Sequence, residues 1–439
     1  MNASVNAPQN RDFPIGNYGA CICDRLQTKQ IQSAIDDCFL QGGGRVIIPA
    51  GIYLTGGLRL RSGVTLYLQA GAILRGSPNP EDYNDYIHDP LEPIETIDDP
   101  TVSRSVYPFS RWNNAVIRVI DAHDIAIIGE TGSYIDGGDC FDAQGEEGYR
   151  GPHGINIQRS HGILLEGYTV LNCGNWAHAI FCSQDITVRC LRVFGGHDSF
   201  DIRTCDRVLI EECEFRSGDD CVAGFDNHDC VIRNCLLDTA CSAFRFGGNN
   251  ILIENCRAVA PASFGFRGSL SKEEKAASAP TAQHHRHNML TFFLYYCDFR
   301  AVIRKDPGNI TIRNCEIENA DRLFNLQFDG KHRWCINRSL HSIHFENCHA
   351  TGIRLPIHIH SSREEPLDFS LDHVDLTAAQ GCEEVPFLKS LHHRAITLKN
   401  VTLRDYTDPT AICCSDGTFY AENSTPLTVL RADPSEMGL

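Results

Sequence analysis

A short aliphatic pattern recurs through the middle of the chain at steps of 21 or 22 residues. Four consecutive copies of aliphatic-x-aliphatic-polar-polar-small begin at Ile186, Val208, Cys230 and Ile251. Further copies begin at Ile163, Ile310, Ile343 and Ile396. A fixed period near this length is typical of stacked units that cannot bury their apolar faces alone. Alternating aliphatic residues indicate strands. The repeat therefore predicts an all-β chain, a parallel β-helix.

Three carboxylates occupy related positions in this repeat. Asp198 lies ten residues before Val208, and Asp220 lies ten residues before Cys230. Because adjacent strands stack about 4.7–4.9 Å apart, we expect Asp198 and Asp220 to be close neighbours, with Asp219 beside them. A carboxylic acid next to a carboxylate is the pair that glycoside hydrolysis requires. The three aspartates are the candidate catalytic groups.

The same register places other polar and aromatic residues beside the aspartates. Trp176 and His153 occupy this position on the two preceding coils, and Cys241 and Ser242 occupy it on the following one. We expect substrate contacts from His153, Trp176 and His178. Trp176 is interpreted as an apolar platform for a sugar ring, with packing in the core as the alternative.

Several blocks of the chain carry a family resemblance. They are NYGA at 17–20, GGGRVIIPAGIYLTGGLRLRSGVTLYLQAGAILRGS at 42–77, GPHGINI at 151–157, GHDSFD at 196–201, SGDDCVA at 217–223, SAFRFG at 242–247 and GFRGS at 265–269. With these blocks the chain resembles the polygalacturonase-like glycoside hydrolases of family 28. The resemblance covers most of the length and implies a right-handed parallel β-helix.

The resemblance also implies roles for the aspartates. Asp219 corresponds to the general acid, and Asp198 and Asp220 correspond to the groups that hold and activate water. An inverting enzyme of this kind needs its acid and base about 6.5–9.5 Å apart to admit that water. The alternative is that these aspartates only cap turns between strands.

The substrate-binding motifs of the family are altered in this chain. Arg267 matches the family arginine that binds the substrate, but Ser269 stands where the family has a lysine. Ser242 stands in place of a family histidine, and His197 replaces a threonine before the first motif aspartate. In the family the lysine and arginine hold a galacturonate carboxylate. The replacements predict that long polygalacturonan is a poor substrate.

Other polar residues are weaker candidates. A group that could close over the cleft comprises His284, His285, Arg286 and His287, and replacement anion contacts are Arg304, Lys305, Lys331 and Arg333. His358 and His360 share one strand face but have no third ligand, so no metal site is predicted. No nucleotide or flavin fingerprint is present, so no organic cofactor is predicted.

The charge and cysteine content restrict partners and compartment. A net charge of −17 argues against nucleic acid as a partner, and no apolar run has the roughly 20 residues of a membrane span. The first residues show no secretory signal, so we expect a cytoplasmic protein whose 21 cysteines are free thiols. Five of them occupy the same position of the repeat pattern: Cys213, Cys235, Cys256, Cys315 and Cys348. This shared position predicts a buried stack rather than a metal site.

Residues 1–439 are expected to form a single domain. Residues 1–16 read as a flexible lead, and residues 78–111 and 268–290 read as long loops. Between them, Thr28 is expected to cap a helix that runs to about residue 40. Its apolar side, formed by Ile31, Ala34, Ile35, Cys38 and Phe39, would cover the open N-terminal end of the solenoid.

These observations predict an inverting, exo-acting glycoside hydrolase. Its expected partners are pectin-derived, galacturonide-type oligosaccharides inside the cell. One alternative is hydrolysis of another linkage, rhamnogalacturonan-like or neutral, on the same scaffold. The other is a carbohydrate-binding β-helix without catalysis. The sequence leaves a homo-oligomer open.

Overall fold

The computed structural model describes residues 11–84, 111–141, 150–267, 286–298, 303–332, 335–414 and 417–433. The chain divides into two compact units, which we describe separately. The first contains residues 1–201, 208–214 and 266–285, and the second contains residues 202–207, 215–265 and 286–439.

Nearly all of the regular structure is β. The single α-helix described is α1 (Thr28–Leu40), and the 3₁₀ turns are Ile15–Tyr18, Pro80–Tyr83 and Arg111–Asn113. The strands of the first unit are β1 (Asp12–Pro14), β2 (Gly44–Ile48), β3 (Gly51–Thr55), β4 (Leu58–Leu60), β5 (Val64–Leu68), β6 (Ala72–Gly76), β7 (Ala115–Ile120), β8 (His123–Gly129), β9 (Tyr134–Asp136), β10 (His153–Gln158), β11 (His161–Glu166), β12 (Thr169–Leu171), β13 (His178–Phe181), β14 (Gln184–Arg189) and β15 (Arg192–Gly195). The division between the units passes through β16 (Phe200–Arg203), β17 (Asp206–Glu211) and β18 (Glu214–Ser217).

The second unit continues the same order of short strands. Its strands are β19 (Val222–Arg233), β20 (Leu236–Thr239), β21 (Ser242–Glu254), β22 (Arg257–Val259), β23 (Thr291–Tyr295), β24 (Gly308–Arg313), β25 (Glu316–Glu318), β26 (Phe324–Gln327), β27 (Ser342–Glu346), β28 (His349–Ile353), β29 (Ile357–His360), β30 (Leu367–Asp372), β31 (Asp375–Ala378), β32 (Leu388–Leu391), β33 (His393–Lys399), β34 (Thr402–Arg404), β35 (Thr410–Cys414), β36 (Thr418–Glu422) and β37 (Thr428–Arg431).

In each unit, strands one coil apart pair in parallel and form three ladders. In the first unit one ladder runs β2, β5, β8, β11 and β14, a second runs β4, β7, β10 and β13, and a third runs β3, β6, β9, β12 and β15. Ile163 lies opposite Ile186, as the repeat predicts. Alternate side chains of the strands point into an apolar core, because successive residues face opposite sides.

The ladders of the second unit follow the predicted register. Cys230 lies opposite Ile251, Ile251 opposite Ile310, and Ile310 opposite Ile343. Each of these side chains is nearly fully buried. The insertion between Ile251 and Ile310 therefore leaves the stacking of the flanking coils intact.

A ladder of asparagines lies at the polar positions of the repeat pattern, where the coils turn. Asn255, Asn314 and Asn347 all have positive φ angles near 50°, a conformation that Asn tolerates better than most residues. The Asn314 amide donates to Asn255 at 3.2 Å, and that of Asn347 donates to Asn314 at 3.4 Å. The aliphatic repeat alone does not predict this ladder, although an Asn-Cys pair recurs at these positions.

A cysteine that points inward follows each of these asparagines and also follows Asn234. Cys235, Cys256, Cys315 and Cys348 are buried in the second unit, and Cys256 and Cys315 each exchange side-chain hydrogen bonds with the cysteines above and below. The predicted stack is confirmed for these four. Cys213 is buried in the first unit.

The N-terminal helix forms where the sequence predicts it, with two corrections. Ile31, Ala34, Ile35 and Cys38 are buried, but Phe39 is 40% exposed. The N-cap residue is Gln27, with no side-chain cap, because the Thr28 hydroxyl accepts a bond from Gly56 instead. The helix packs against the first strands of the first unit and covers that end of its ladders.

The flexible lead predicted for residues 1–16 is wrong for its described part. Asp12–Pro14 forms β1, which pairs with β2 in parallel, and Ile15 is fully buried. The two predicted loops, 78–111 and 268–290, lie mostly outside the described residues. A single domain over 1–439 stays a prediction.

Candidate active site

The candidate residues lie at one recurring bend of the coil, between a short strand of the third ladder and the next strand. Trp176 lies between β12 and β13, Asp198 between β15 and β16, and Asp219 and Asp220 between β18 and β19. Cys241 lies between β20 and β21. A bend is a suitable place for functional groups, because its side chains are not committed to the ladder.

In the first unit the predicted column of residues is confirmed. The Ala177 amide donates to the carbonyl oxygen of Asp198 at 2.9 Å, and the Gly154 amide donates to that of Trp176 at 3.1 Å. His153, Trp176 and Asp198 therefore occupy successive coils. Asp198 is only 2% exposed.

Burial corrects the roles expected for Trp176 and His153. Trp176 is 7% exposed and His153 is fully buried. Their rings lie 5.3 Å apart, and both pack against Trp112. A sugar platform needs an open ring face, which neither residue offers. The alternative of core packing is correct for Trp176.

His178 is also a core residue rather than a substrate contact. Its ring stacks on Phe200 with centroids 4.1 Å apart. One ring nitrogen lies 3.1 Å from the carbonyl oxygen of Ser199, and the other lies 3.2 Å from the hydroxyl of Tyr168. Burial lowers the pKa of His178 to about 3, although the contact with Ser199 opposes that effect. Its imidazole is neutral near pH 7.

His197 has a different environment. It is 4% exposed, its ring lies 4.9 Å from that of Phe141, and neither ring nitrogen has a hydrogen-bond partner in the described part of the chain. Burial lowers the pKa of His197 well below its usual value. The charges of Arg150 and Arg267 lower it further, as does His153. His197 is therefore a neutral imidazole in a positively charged setting.

Arg267 is fixed beside this histidine. Its guanidinium lies 2.5 Å from a carboxylate oxygen of Asp139 and stacks over Phe141 at 3.9 Å. Its amide donates to the carbonyl oxygen of Gly196 at 3.2 Å. A Cβ atom on Gly196 would lie 2.6 Å from that of Arg267, so glycine is required there. Asp139 already neutralises Arg267, which weakens its predicted role in binding a substrate carboxylate.

In the second unit both carboxylate oxygens of Asp220 face a positively polarised group. It is fully buried, its Oδ1 accepts the Ser242 amide at 3.0 Å, and its Oδ2 lies 3.0 Å from Nε of Arg245. Ser242 is itself buried, and its amide makes the contact with Asp220. A backbone donor and a cation are suitable partners for an ionised carboxylate.

Asp219 is more accessible than Asp220. It is half-buried, and its Oδ1 accepts the amide of Asp220 at 3.1 Å. The hydroxyl of Thr239 donates to its carbonyl oxygen at 2.6 Å. The backbone of Asp219 is thus anchored to the next coil. Adjacent carboxylates in such different surroundings suit different chemical roles.

Cys241 completes this part of the site. Its sulfur and carboxylate oxygens of Asp219 and Asp220 lie within 4.8 Å of one another, a spacing that could hold a metal ion. However, burial raises the pKa of the Cys241 thiol well above its usual value, and the charges of Asp220 and Asp219 add to this. Arg286 donates to the sulfur at 3.6 Å. A neutral thiol beside a cation is a poor metal ligand.

The repeat places Cys241 on the following coil but indicates no role for it. The signal was its spacing of 22 residues from Asp219, which is one repeat.

The comparisons with known proteins agree with this architecture. Residues 153–274 match the family model for the right-handed β-helix region. A Vitis vinifera protein named probable polygalacturonase is 28% identical over 219 residues, which are 46% of this chain and 42% of that protein. The chain has the right-handed β-helix fold and is similar to polygalacturonases over part of its length. The predicted resemblance and fold class are confirmed.

Two solved structures share the fold of this chain. The hyperthermoactive exopolygalacturonase of Thermotoga maritima has a TM-score of 0.64 at 18% identity and covers 91% of this chain and 93% of its own. The family 28 exopolygalacturonase of Yersinia enterocolitica also has 0.64 at 18%, covering 96% and 78%. The chain spans about two fifths of the length of the first curated relatives it matches.

The remaining candidate residues are mostly committed to other contacts. Arg304 bridges Asp226 and Asp206 at 2.7 and 2.8 Å, and Lys305 lies 3.6 Å from Asp229. These two are poor replacements for an anion-binding lysine.

The histidine candidates outside the bend are also engaged. A ring nitrogen of His287 lies 2.8 Å from the carbonyl oxygen of Ala262. A ring nitrogen of His358 lies 2.7 Å from the Asn325 side-chain oxygen. Within the described ranges neither His358 nor His360 belongs to a cluster with metal-ligand spacing. Ser269, His284, His285 and Arg333 lie outside the described residues.

None of the helices described is long and apolar enough to cross a membrane.

Asp198 belongs to the first unit, and Asp219 and Asp220 belong to the second. Their convergence on one substrate stays a prediction of the sequence register.

Proposed function

We propose that this protein is an inverting glycoside hydrolase that acts on galacturonide-type oligosaccharides. The observation that carries the proposal is the contrast between two adjacent carboxylates on one bend. Asp220 is buried against Arg245 and a backbone amide, whereas Asp219 is half-buried and more accessible. One acid and one carboxylate with separate surroundings are what a glycosidase requires.

In the proposed mechanism Asp219 donates a proton to the glycosidic oxygen as the bond to the anomeric carbon breaks. A water molecule attacks that carbon from the opposite face, and its proton passes to a carboxylate. Carboxylate oxygens of Asp219 and Asp220 lie within 4.8 Å of each other, closer than the roughly 6.5–9.5 Å between the acid and the base of an inverting enzyme. We therefore assign Asp220 to holding the water and Asp198 to accepting its proton. The participation of Asp198 rests on the sequence register and the family resemblance.

An exo mode of action is part of the proposal. Two proteins with the same fold are exopolygalacturonases, and the altered motifs at Ser242 and Ser269 predict weak binding of a long polymer. With a net charge of −17 the protein does not attract polyanions as a whole. An anionic sugar must therefore be held by local cations.

We also propose that the protein works in a reducing compartment such as the cytoplasm. All 21 cysteines are free, and many of them are buried within the coils. Disulfides are rare where thiols are kept reduced. Short oligosaccharides imported from outside are then the available substrates.

The test is a product screen with purified protein. Galacturonide oligomers, polygalacturonan, rhamnogalacturonan oligomers and neutral oligosaccharides are incubated in parallel, and products are followed by chromatography and NMR. We expect release of single terminal sugars with inverted anomeric configuration, fastest from short galacturonides. Cleavage restricted to rhamnogalacturonan or neutral oligomers would replace the proposed substrate with the alternative linkage. Tight binding of galacturonides without any turnover would favour a non-catalytic binding protein.

A further inference from the structure

Arg150 is a buried cation between two tryptophans of the first unit. Its guanidinium lies 5.7 Å from the ring of Trp112 and 5.8 Å from that of Trp176. The two indoles meet at a steep angle of 83° with centroids 5.9 Å apart. Nε donates to the side-chain oxygen of Asn175 at 2.9 Å. The residue is 6% exposed, and these contacts fix its guanidinium in one orientation.

This cation forms no ion pair with any carboxylate in the ranges that the structure describes. Burying a charge is unfavourable unless it is paired. Three other arginines near the bends have a carboxylate partner: Arg267 with Asp139, Arg245 with Asp220 and Arg304 with Asp226. Arg150 differs from these three.

The surroundings of Arg150 are also rich in hydrogen-bond donors. Nε1 of Trp112 and Nδ2 of Asn175 are buried and have no acceptor within the described residues. Neither ring nitrogen of His197 has a partner within the described residues, and its neutral imidazole adds one N–H donor. Buried donors are normally satisfied, and leaving one unpaired is unfavourable. An anion with several acceptor oxygens would complement such a group.

We propose that Arg150 binds the carboxylate of a hexuronic acid residue of the substrate. The inference rests on the proposed function and names a residue that supplies the charge expected from the family lysine at position 269. The guanidinium lies against both indole rings, and Nε is committed to Asn175. The terminal nitrogens remain for a carboxylate, the geometry in which arginine binds planar anions best.

The position of Arg150 suits this role. Trp176 occupies the bend one coil before Asp198. The positive charge of Arg150 lowers the pKa of His197, which precedes Asp198 in the sequence. Arg150 therefore anchors a sugar close to this candidate catalytic carboxylate within the first unit.

The test measures binding by tryptophan fluorescence, because two of the three tryptophans of the chain contact Arg150. Digalacturonate, its neutral counterpart digalactose and a glucuronide disaccharide are titrated into the wild type, Arg150→Met and Arg150→Lys. Arg159→Met is the matched control, since Arg159 is an exposed arginine of the same unit that pairs with Asp121.

We expect Arg150→Met to weaken digalacturonate binding about ten- to hundredfold, the usual loss of a charge-assisted contact. Its binding of digalactose should stay unchanged. Arg150→Lys should fall between the two, because it keeps the charge without the planar donor pair. Arg159→Met should behave as the wild type. Circular dichroism and thermal melting check the fold of each variant, and Arg150→Lys serves if Arg150→Met does not fold.

The outcomes separate this inference from the proposed function. Cleavage of galacturonides by the wild type, together with unchanged uronide affinity in both Arg150 variants, would overturn the role of Arg150 alone. Binding of the glucuronide only, lost in Arg150→Met, would keep the role of Arg150 and overturn the galacturonide substrate. A wild type that binds no uronide would refute both.

Discussion

The Nε atom of Arg245 lies 3.0 Å from Oδ2 of Asp220, which is fully buried. Arg245 sits opposite Ala223 in the parallel ladder, so the ion pair links two successive coils of the second unit. The other oxygen of Asp220 accepts the amide of Ser242. Asp220 is thereby oriented from the following coil through both of its carboxylate oxygens.

Removing the cation should be costly. Arg245→Met leaves a buried carboxylate without its ionic partner, and we expect the free energy of unfolding to fall by about 3–5 kcal/mol. The measurement is urea unfolding at neutral pH. The matched control is Arg257→Met, whose ion pair with Glu318 is largely exposed and should contribute less than about 1 kcal/mol.

The double variant Arg245→Met/Asp220→Asn isolates the pair. It should recover part of the lost stability, because an amide needs no counter-ion. Losses of Arg245→Met and Asp220→Asn that simply add would contradict a direct interaction.

Asp219→Asn should reveal the general acid. With a poor leaving group the rate should fall by about 10²–10⁴-fold, since general acid catalysis usually contributes that much. An activated aryl glycoside needs less protonation and should lose less. The rates of both substrates are measured with wild type and variant, and the anomer of the first product is followed by NMR. Near-wild-type cleavage of the natural linkage, or a retained anomeric configuration, would show the assignment to be wrong.

His178 should make stability depend on pH. Its pKa is lowered to about 3 by burial, whereas in the unfolded chain histidine binds a proton below about 6.5. The unfolded state alone takes up the proton between these values, so stability falls as pH decreases from about 6.5 towards 3. At pH 5 this amounts to about 2 kcal/mol relative to pH 7.

The check is urea unfolding of the wild type and His178→Gln at pH 7 and pH 5. The loss of stability on acidification should be smaller in the variant by about 2 kcal/mol, because glutamine binds no proton. Equal losses in the two proteins would exclude His178 as the source.

Thiol titration of the unreduced, denatured protein should detect close to 21 thiols, since all 21 cysteines are free in the folded chain. On exposure to oxidant the first pair to close should be Cys21 and Cys23. Their sulfurs lie 3.4 Å apart at the surface, whereas most other thiols are buried. Titration before and after mild oxidation, with mass spectrometry of peptides, checks both statements. A count of only a few thiols before oxidation would contradict the first.

The repeat was enough to predict the fold and much of the register. Ile163 pairs with Ile186 and Cys230 with Ile251 as expected, because a fixed period can bury its aliphatic positions only by stacking. The same periodicity placed Asp220 one coil before Ser242, which its hydrogen bond confirms. The helix at Thr28–Leu40 also followed from local pattern.

Burial and charge pairing were decided by the tertiary structure. His178 and Trp176 are polar or amphipathic in sequence, yet one lies in the core on Phe200 and the other packs against Trp112. Arg267 is neutralised by Asp139, 128 residues earlier in the chain, while Arg150 is left between two indoles. Repeat spacing fixes which coil a residue occupies. It carries no information on which distant side chain meets it, because that depends on how the bends and loops fold over each coil.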